Sequence, residues 1–248
     1  MFTCNSLQLR MNIAEPTQGL LAKEFLLRPD VLTTALVGLI VLILIFRSVF
    51  GSKRNGAKAD IALLLGPCDA GKTSLFLTWS MPGKLQKTVT SQSANRGRVL
   101  PNCALEIVDY PGHPRLWHGA LAMLPRVHKI VYLIDSSAVD VKSVSENLYD
   151  LMVSKNLRDD CKLLICRNKT DSRKKIICED DLVKSINSEI EKLRKSRAQS
   201  LDGEQENYLG LVDEDFDLRT HAPISVAFAS SSVKSKRIEE IESFLEAA

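Results

Sequence analysis

Residues 61–74 read Ile61-Ala62-Leu63-Leu64-Leu65-Gly66-Pro67-Cys68-Asp69-Ala70-Gly71-Lys72-Thr73-Ser74, an apolar run that stops at a glycine and resumes as a polar, hydroxyl-bearing segment. Five consecutive apolar residues closed by turn-formers read as a strand buried on both faces. Gly66 to Thr73 fits G-x-x-x-x-G-K-[ST], and Ser74 to Trp79 follows it with a helical pattern. The motif therefore stands where a strand turns into a helix, the context its chemistry requires. In that context the loop's N–H groups wrap a phosphate, the helix N-terminus adds its positive end, and Lys72 reaches the outer phosphate oxygens. Gly66, Cys68, Asp69, Ala70, Gly71, Lys72, Thr73 and Ser74 are the phosphate-side candidates, with the Thr73 hydroxyl directed to Mg²⁺.

Outward from this loop, short apolar runs recur at Leu105 to Val108, Ile130 to Ile134, Leu163 to Cys166 and Ile224 to Ala229. Between them stand helical patterns, among them Leu182, Val183, Ile186, Ile190 and Leu193, and near the end Ile238, Ile241, Phe244 and Leu245. Strands alternating with helices imply βα units. The expected fold is α/β, a mostly parallel central sheet with helices on both faces, over residues 60–248. Residues 196–222 lack clear periodicity, carry Asp213, Glu214, Asp215 and Asp217, and read as a solvated loop inserted before the last strand. The basic face of the Lys184 to Arg197 helix reads as solvated, and no motif supports specific nucleic-acid binding.

Two further motifs sit at the C-terminal ends of expected strands, where ligands bind in open α/β sheets. Asp109-Tyr110-Pro111-Gly112-His113 supplies a carboxylate for Mg²⁺ and, at Gly112, an N–H that can sense a γ-phosphate. Asn168-Lys169-Thr170-Asp171 supplies Asp171, whose carboxylate accepts two hydrogen bonds from N1–H and the exocyclic amine of guanine. Adenine offers no such pair. GTP with Mg²⁺ is the expected ligand.

Residues 31–50, VLTTALVGLIVLILIFRSVF, hold one charge, Arg47. Twenty helical residues rise ~30 Å, the thickness of a bilayer's hydrocarbon layer, so one N-terminal transmembrane helix is expected there. Residues 1–30 then form a short lumenal segment and residues 51–59 a basic linker. Lys23 and Arg28 precede the span, whereas Arg47, Lys53, Arg54 and Lys58 follow it, which places the C-terminal portion in the cytosol. The 248-residue chain, 45% hydrophobic and 25% charged with a net charge of +3, is too ordinary in composition for a disordered or disulfide-stapled protein. Its six cysteines show no C-x-x-C spacing and read as free thiols.

G-x-x-x-x-G-K-T, D-x-x-G and N-K-x-D in this order resemble the translation-factor and Ras-like class of small GTPases. That resemblance implies a switch I threonine on Mg²⁺, Thr90 in KTVTSQ with Thr88 as its competitor, and a base-contacting loop at Ser230 and Ser231. It also puts His113 where members of the class keep the residue that orients the attacking water; a histidine can do this or sit turned away under an apolar gate. One N-terminal span, a basic linker, G-x-C-D-x-G-K-T and D-x-P-G-H together resemble the β-subunit family of the signal recognition particle receptor more closely. This implies a single-pass endoplasmic reticulum membrane protein that binds the receptor's α subunit in its GTP state for co-translational targeting, and meets ribosome and translocon only indirectly. Cys68 and Asp69 stand where fast GTPases carry small residues, so slow intrinsic hydrolysis is expected. The alternative is an Arf/Sar-like vesicle-traffic GTPase that acts by hydrolysis, although Phe2 leaves no glycine to acylate.

Overall fold

The structure, a computed structural model, describes residues 60–82, 92–200, 208–211 and 214–247. The expected span 31–50, its flanking segments and both switch I candidates lie outside these residues. Among the described residues no helix is long and apolar enough to cross a membrane.

The elements are β1 (Ile61–Leu65), α1 (Lys72–Ser80), β2 (Asn95–Gly97), β3 (Glu106–Asp109), α2 (Trp117–Met123), β4 (Val127–Asp135), α3 (Val141–Val153), β5 (Lys162–Asn168), α4 (Glu179–Ser200), β6 (Ser225–Ser230) and α5 (Glu239–Glu246). Single 3₁₀ turns, Pro114–Leu116 and Leu124–Arg126, flank α2. The strands form one sheet in the order β2-β3-β1-β4-β5-β6. All neighbours run parallel except β2, which pairs antiparallel with β3.

Alternation along the strands sorts the core into two layers. Ile61, Leu63, Leu65, Ile130, Tyr132 and Ile134 face the side covered by α3 and α4, where Val144, Leu148, Leu182 and Ile186 are buried. Ala62, Leu64, Val131 and Leu133 face the opposite side, against Leu75, Trp79, Ile241 and Leu245 of α1 and α5. The expected doubly covered sheet is thus present. All five expected strands form, four of them with boundaries moved by one or more residues into polar sequence, because ladder bonds continue after the apolar run stops.

β2 and α3 lie outside the apolar runs and helical patterns named above. β2 is three polar residues, Asn-Arg-Gly, held by its pairing with β3 and not by any apolar pattern. α3 had a legible signal: Asp140, whose side chain accepts from the Ser143 N–H at 3.3 Å, caps a helix with Val144, Leu148, Leu151 and Met152 on one buried face.

The segment read as a solvated insertion behaves differently. α4 continues to Ser200, and Leu209, Phe216 and Leu218 are buried. The cause is Arg194, which was expected on a solvated face and is fully buried. Its guanidinium donates to Glu191 Oε2 at 2.7 Å, Tyr208 Oη at 2.7 Å, and the carbonyls of Glu214 and Leu211. The Tyr208 and Phe216 rings lie 4.5 and 5.9 Å from it. A cation with this many donors gathers the carbonyls of a segment that has no apolar period of its own. On the opposite face of the sheet, the buried Lys129 reaches the Leu245 carbonyl at 3.0 Å and that of Ala247, a cation on the negative end of α5.

Candidate functional site

The C-terminal ends of β1, β3, β4 and β5 bring the three motifs together. Gly71 carries a φ of 98°, and a Cβ there would fall 2.3 Å from the Asn168 amide nitrogen. The phosphate loop and the N-K-x-D segment therefore touch through a position only glycine fills. Asn168 Nδ2 donates to the Ala70 carbonyl at 2.8 Å, while its Oδ1 accepts from Ser231 Oγ at 3.2 Å and the Val233 N–H at 3.3 Å. One side chain ties three segments distant in sequence.

Lys72 opens α1 and is buried. It donates to the carbonyls of Gly66 at 2.8 Å and Pro67 at 2.7 Å, which fixes the ammonium inside the loop before any ligand arrives. Burial pulls its pKa below the ordinary lysine value, against the opposing charges of Asp109, Cys68 and Asp69. Gly112 lies against it, since a Cβ there would be 2.6 Å from Lys72 Nζ and 2.5 Å from the Gly66 carbonyl.

Thr73 Oγ1 donates to Asp109 Oδ2 at 2.8 Å. A hydroxyl that spends its proton this way presents lone-pair density to a cation. Asp109 is buried, and among the described residues its Oδ1 has no hydrogen-bond partner. A buried carboxylate oxygen without a donor is expensive unless a cation or its water shell satisfies it. No cluster of three or more His, Cys, Asp or Glu that could hold a metal occurs among the described residues.

At the other end, Asp171 Oδ1 accepts from Ser232 Oγ at 2.6 Å, and Lys234 Nζ stands 3.9 Å from Oδ2. The Ser232 bond, against the opposing effect of burial, holds the Asp171 carboxyl below the usual aspartate value. Lys169, at a φ of 62°, donates to Asp135 Oδ2 at 2.7 Å. A cavity of about 570 Å³ is lined by Asn168, Lys169, Asp171, Arg173, Val233 and Lys234. A second, of about 630 Å³, is lined by Cys68, Asp69, Lys72, Thr73, Gly112 and Asp135. Both share Gly71, Ser74 and Lys169, so they adjoin end to end.

The base-side loop is displaced from the expected residues. Ser230 is exposed, with its N–H on Glu240 Oε2 at 3.0 Å. Ser231 is buried behind Asn168 and accepts from the Cys166 thiol at 3.1 Å. The residues that meet Asp171 and the cavity are Ser232, Val233 and Lys234, two positions further on. The serine with a lysine two residues later was the available signal, masked by three consecutive serines. His113 is exposed and caps the turn at Pro114–Leu116, its Nδ1 accepting the Arg115 N–H at 3.2 Å; it lines neither cavity, whereas Pro111 and Gly112 line the second. Asn95 and Asp135 join the site without having been anticipated.

The family model described as the signal recognition particle receptor beta subunit matches residues 57–244. The chain belongs to that family. The family's curated members of human and of Dictyostelium discoideum are 29% and 30% identical to it, over 88% and 89% of this chain and 86% and 85% of theirs. Among solved structures, the mammalian signal recognition particle receptor matches with a TM-score of 0.65 at 28% identity, covering 75% of this chain and 98% of its own. A Chaetomium thermophilum receptor β subunit described with GDP and Mg matches at 0.59 and 18% identity, over 77% of this chain and 98% of its own, a likeness of fold. As a member of the signal recognition particle receptor β family, the chain carries that family's small-GTPase architecture around the site described above.

Proposed function

We propose that this protein is the membrane-anchored, GTP-binding β subunit of a signal recognition particle receptor, and that GTP with Mg²⁺ licenses its binding to the receptor's α subunit. One observation carries the nucleotide reading: a cavity with the Ser232-aligned Asp171 carboxylate at one end adjoins a cavity lined by Lys72 and Thr73, with Asp109 hydrogen-bonded to Thr73 and its Oδ1 left without a donor among the described residues. The first end has the acceptor geometry for guanine, and the second has the cation and the oxygen ligands for phosphates and Mg²⁺.

Thr73 and Asp109 would hold the ion, with Thr88 or Thr90 of switch I. When bound, Mg²⁺ neutralises the phosphate oxygens and stabilises charge in phosphoryl transfer. Gly112, packed on the phosphate loop, sits where its N–H can report a third phosphate, and its movement carries the following segment through Trp117 and Leu121, which pack on the core. His113 is committed to its turn, which fits a protein timed by occupancy with slow intrinsic hydrolysis. A fungal relative by fold is described as a GTP complex with SRX, which supports a partner that reads the GTP state. Residues 31–50 anchor the domain in the endoplasmic reticulum membrane, with the site on the cytosolic side.

The test is retention of the α subunit on full-length chain in detergent, loaded with a non-hydrolysable GTP analogue or with GDP. Retention with the analogue alone is expected. Equal retention in both states would count against the switch, and loss of all nucleotide binding selectivity for guanine would count against the site.

A further inference from the structure

Asn95 lies on β2, the short antiparallel edge strand that no sequence pattern announced, in direct register with Asp109 of β3. Its Nδ2 donates to Asp109 Oδ2 at 2.8 Å, the same oxygen that accepts from Thr73 Oγ1 at 2.8 Å. Two donors therefore converge on one carboxylate oxygen, and the other, Oδ1, is buried and without a hydrogen-bond partner among the described residues.

A carboxylate held by one donor can rotate about its Cβ–Cγ bond and exchange its oxygens. Two donors arriving from different elements, α1 and β2, remove that freedom. Oδ2 becomes the anchored atom and Oδ1 the atom committed to a cation or its water. We infer that Asn95 is a positioning residue for the magnesium-binding carboxylate, and that β2 exists in this chain to deliver that amide. The inference rests on the proposed nucleotide–Mg²⁺ site and adds a residue to it.

The arrangement also has a direction. β2 begins only a few residues after the segment that holds Thr88 and Thr90, so one short stretch of chain carries a switch I candidate and the amide that orients the metal carboxylate. Displacement of β2 would withdraw that donor from Asp109. Metal retention and the position of the edge strand are thereby linked through a single side chain.

The experiment measures release of a fluorescent GDP analogue from the full-length chain in detergent across buffered free Mg²⁺, for the wild type, Asn95→Ala and Asn95→Leu. Leucine fills nearly the asparagine's volume without a donor, so it controls for loss of bulk on an edge strand. The expected result is a Mg²⁺ midpoint raised about tenfold in both variants, the effect of one hydrogen bond to a charged group. Affinity in excess chelator should stay within twofold of wild type, a readout that a general folding defect would move. A midpoint unchanged in either variant while the wild type responds to Mg²⁺ would overturn the role of Asn95 alone. A wild type whose nucleotide release ignores Mg²⁺ would overturn the metal site itself and this role with it.

Discussion

At the scale of single residues, the base-side loop separates what a motif can say from what a contact decides. FASSSVKSK contains three adjacent serines, and which of them meets Asp171 cannot be chosen from spacing alone. The 2.6 Å bond from Ser232 to Asp171 chooses it. Ser232→Ala should weaken GTP binding roughly tenfold, since a hydrogen bond to a charged group contributes ~1.5 kcal/mol or more, while Ser230→Ala should leave it unchanged; isothermal titration with GTP distinguishes the two. The same bond governs pH behaviour. Asp171 has a folded-state pKa below its ordinary 3.8, so its contribution is present above the unfolded value and is lost only as pH falls through the lower folded value. GTP affinity should therefore show no loss from Asp171 between pH 7 and 5, and a decline centred above pH 5 would contradict this. Lys72→Ala, which removes the buried ammonium preset by the Gly66 and Pro67 carbonyls, should cost at least about a hundredfold in GTP affinity, measured in the same titration.

At the scale of elements, the parts legible in the sequence were those whose signal is their own burial. β1, β4 and β5 are apolar because both faces are covered, and their runs are visible without neighbours. β2 and the segment after α4 are held by partners remote in sequence, and such order has no local pattern to read. Arg194 is the clearest case: within its helix it is one more basic residue in a charged sequence, and only the folded chain shows Tyr208, Leu211 and Glu214 converging on it. Arg194→Met should lower unfolding free energy by ~3 kcal/mol, because it removes the donor shared by the Leu211 and Glu214 carbonyls and Tyr208 Oη, Glu191 keeping Lys195 and the Phe216 N–H, and urea denaturation measures it. Residues 208–218 should then become the first site of proteolytic cleavage, with cleavage at the wild-type rate counting against the clasp.

At the scale of the whole molecule, a ligand that touches the ends of β1, β3 and β5 stabilises the sheet as a unit. GTP with Mg²⁺ at a hundred times its dissociation constant adds about 2.7 kcal/mol, which for a domain of this size raises the melting temperature by roughly 5–10 °C. Differential scanning fluorimetry should show that shift for the wild type and at most about a sixth of it for Lys72→Ala at the same ligand concentration. The site is also assembled from distant pieces of chain: the phosphate loop at 66–73, Asp109 and Asn95 on a later hairpin, the N-K-x-D segment at 168–171, and Ser232 to Lys234 after β6. During synthesis these leave the ribosome in that order, so the phosphate loop is made long before the Asn168 side chain that holds the Ala70 carbonyl. Asn168, which ties the Ala70 carbonyl to Ser231 and Val233, cannot close its network until β6 has been added at the sheet's edge. Closure of this network is accordingly a late event of the chain's own biogenesis, because the last of these pieces to leave the ribosome carries the residues that complete it.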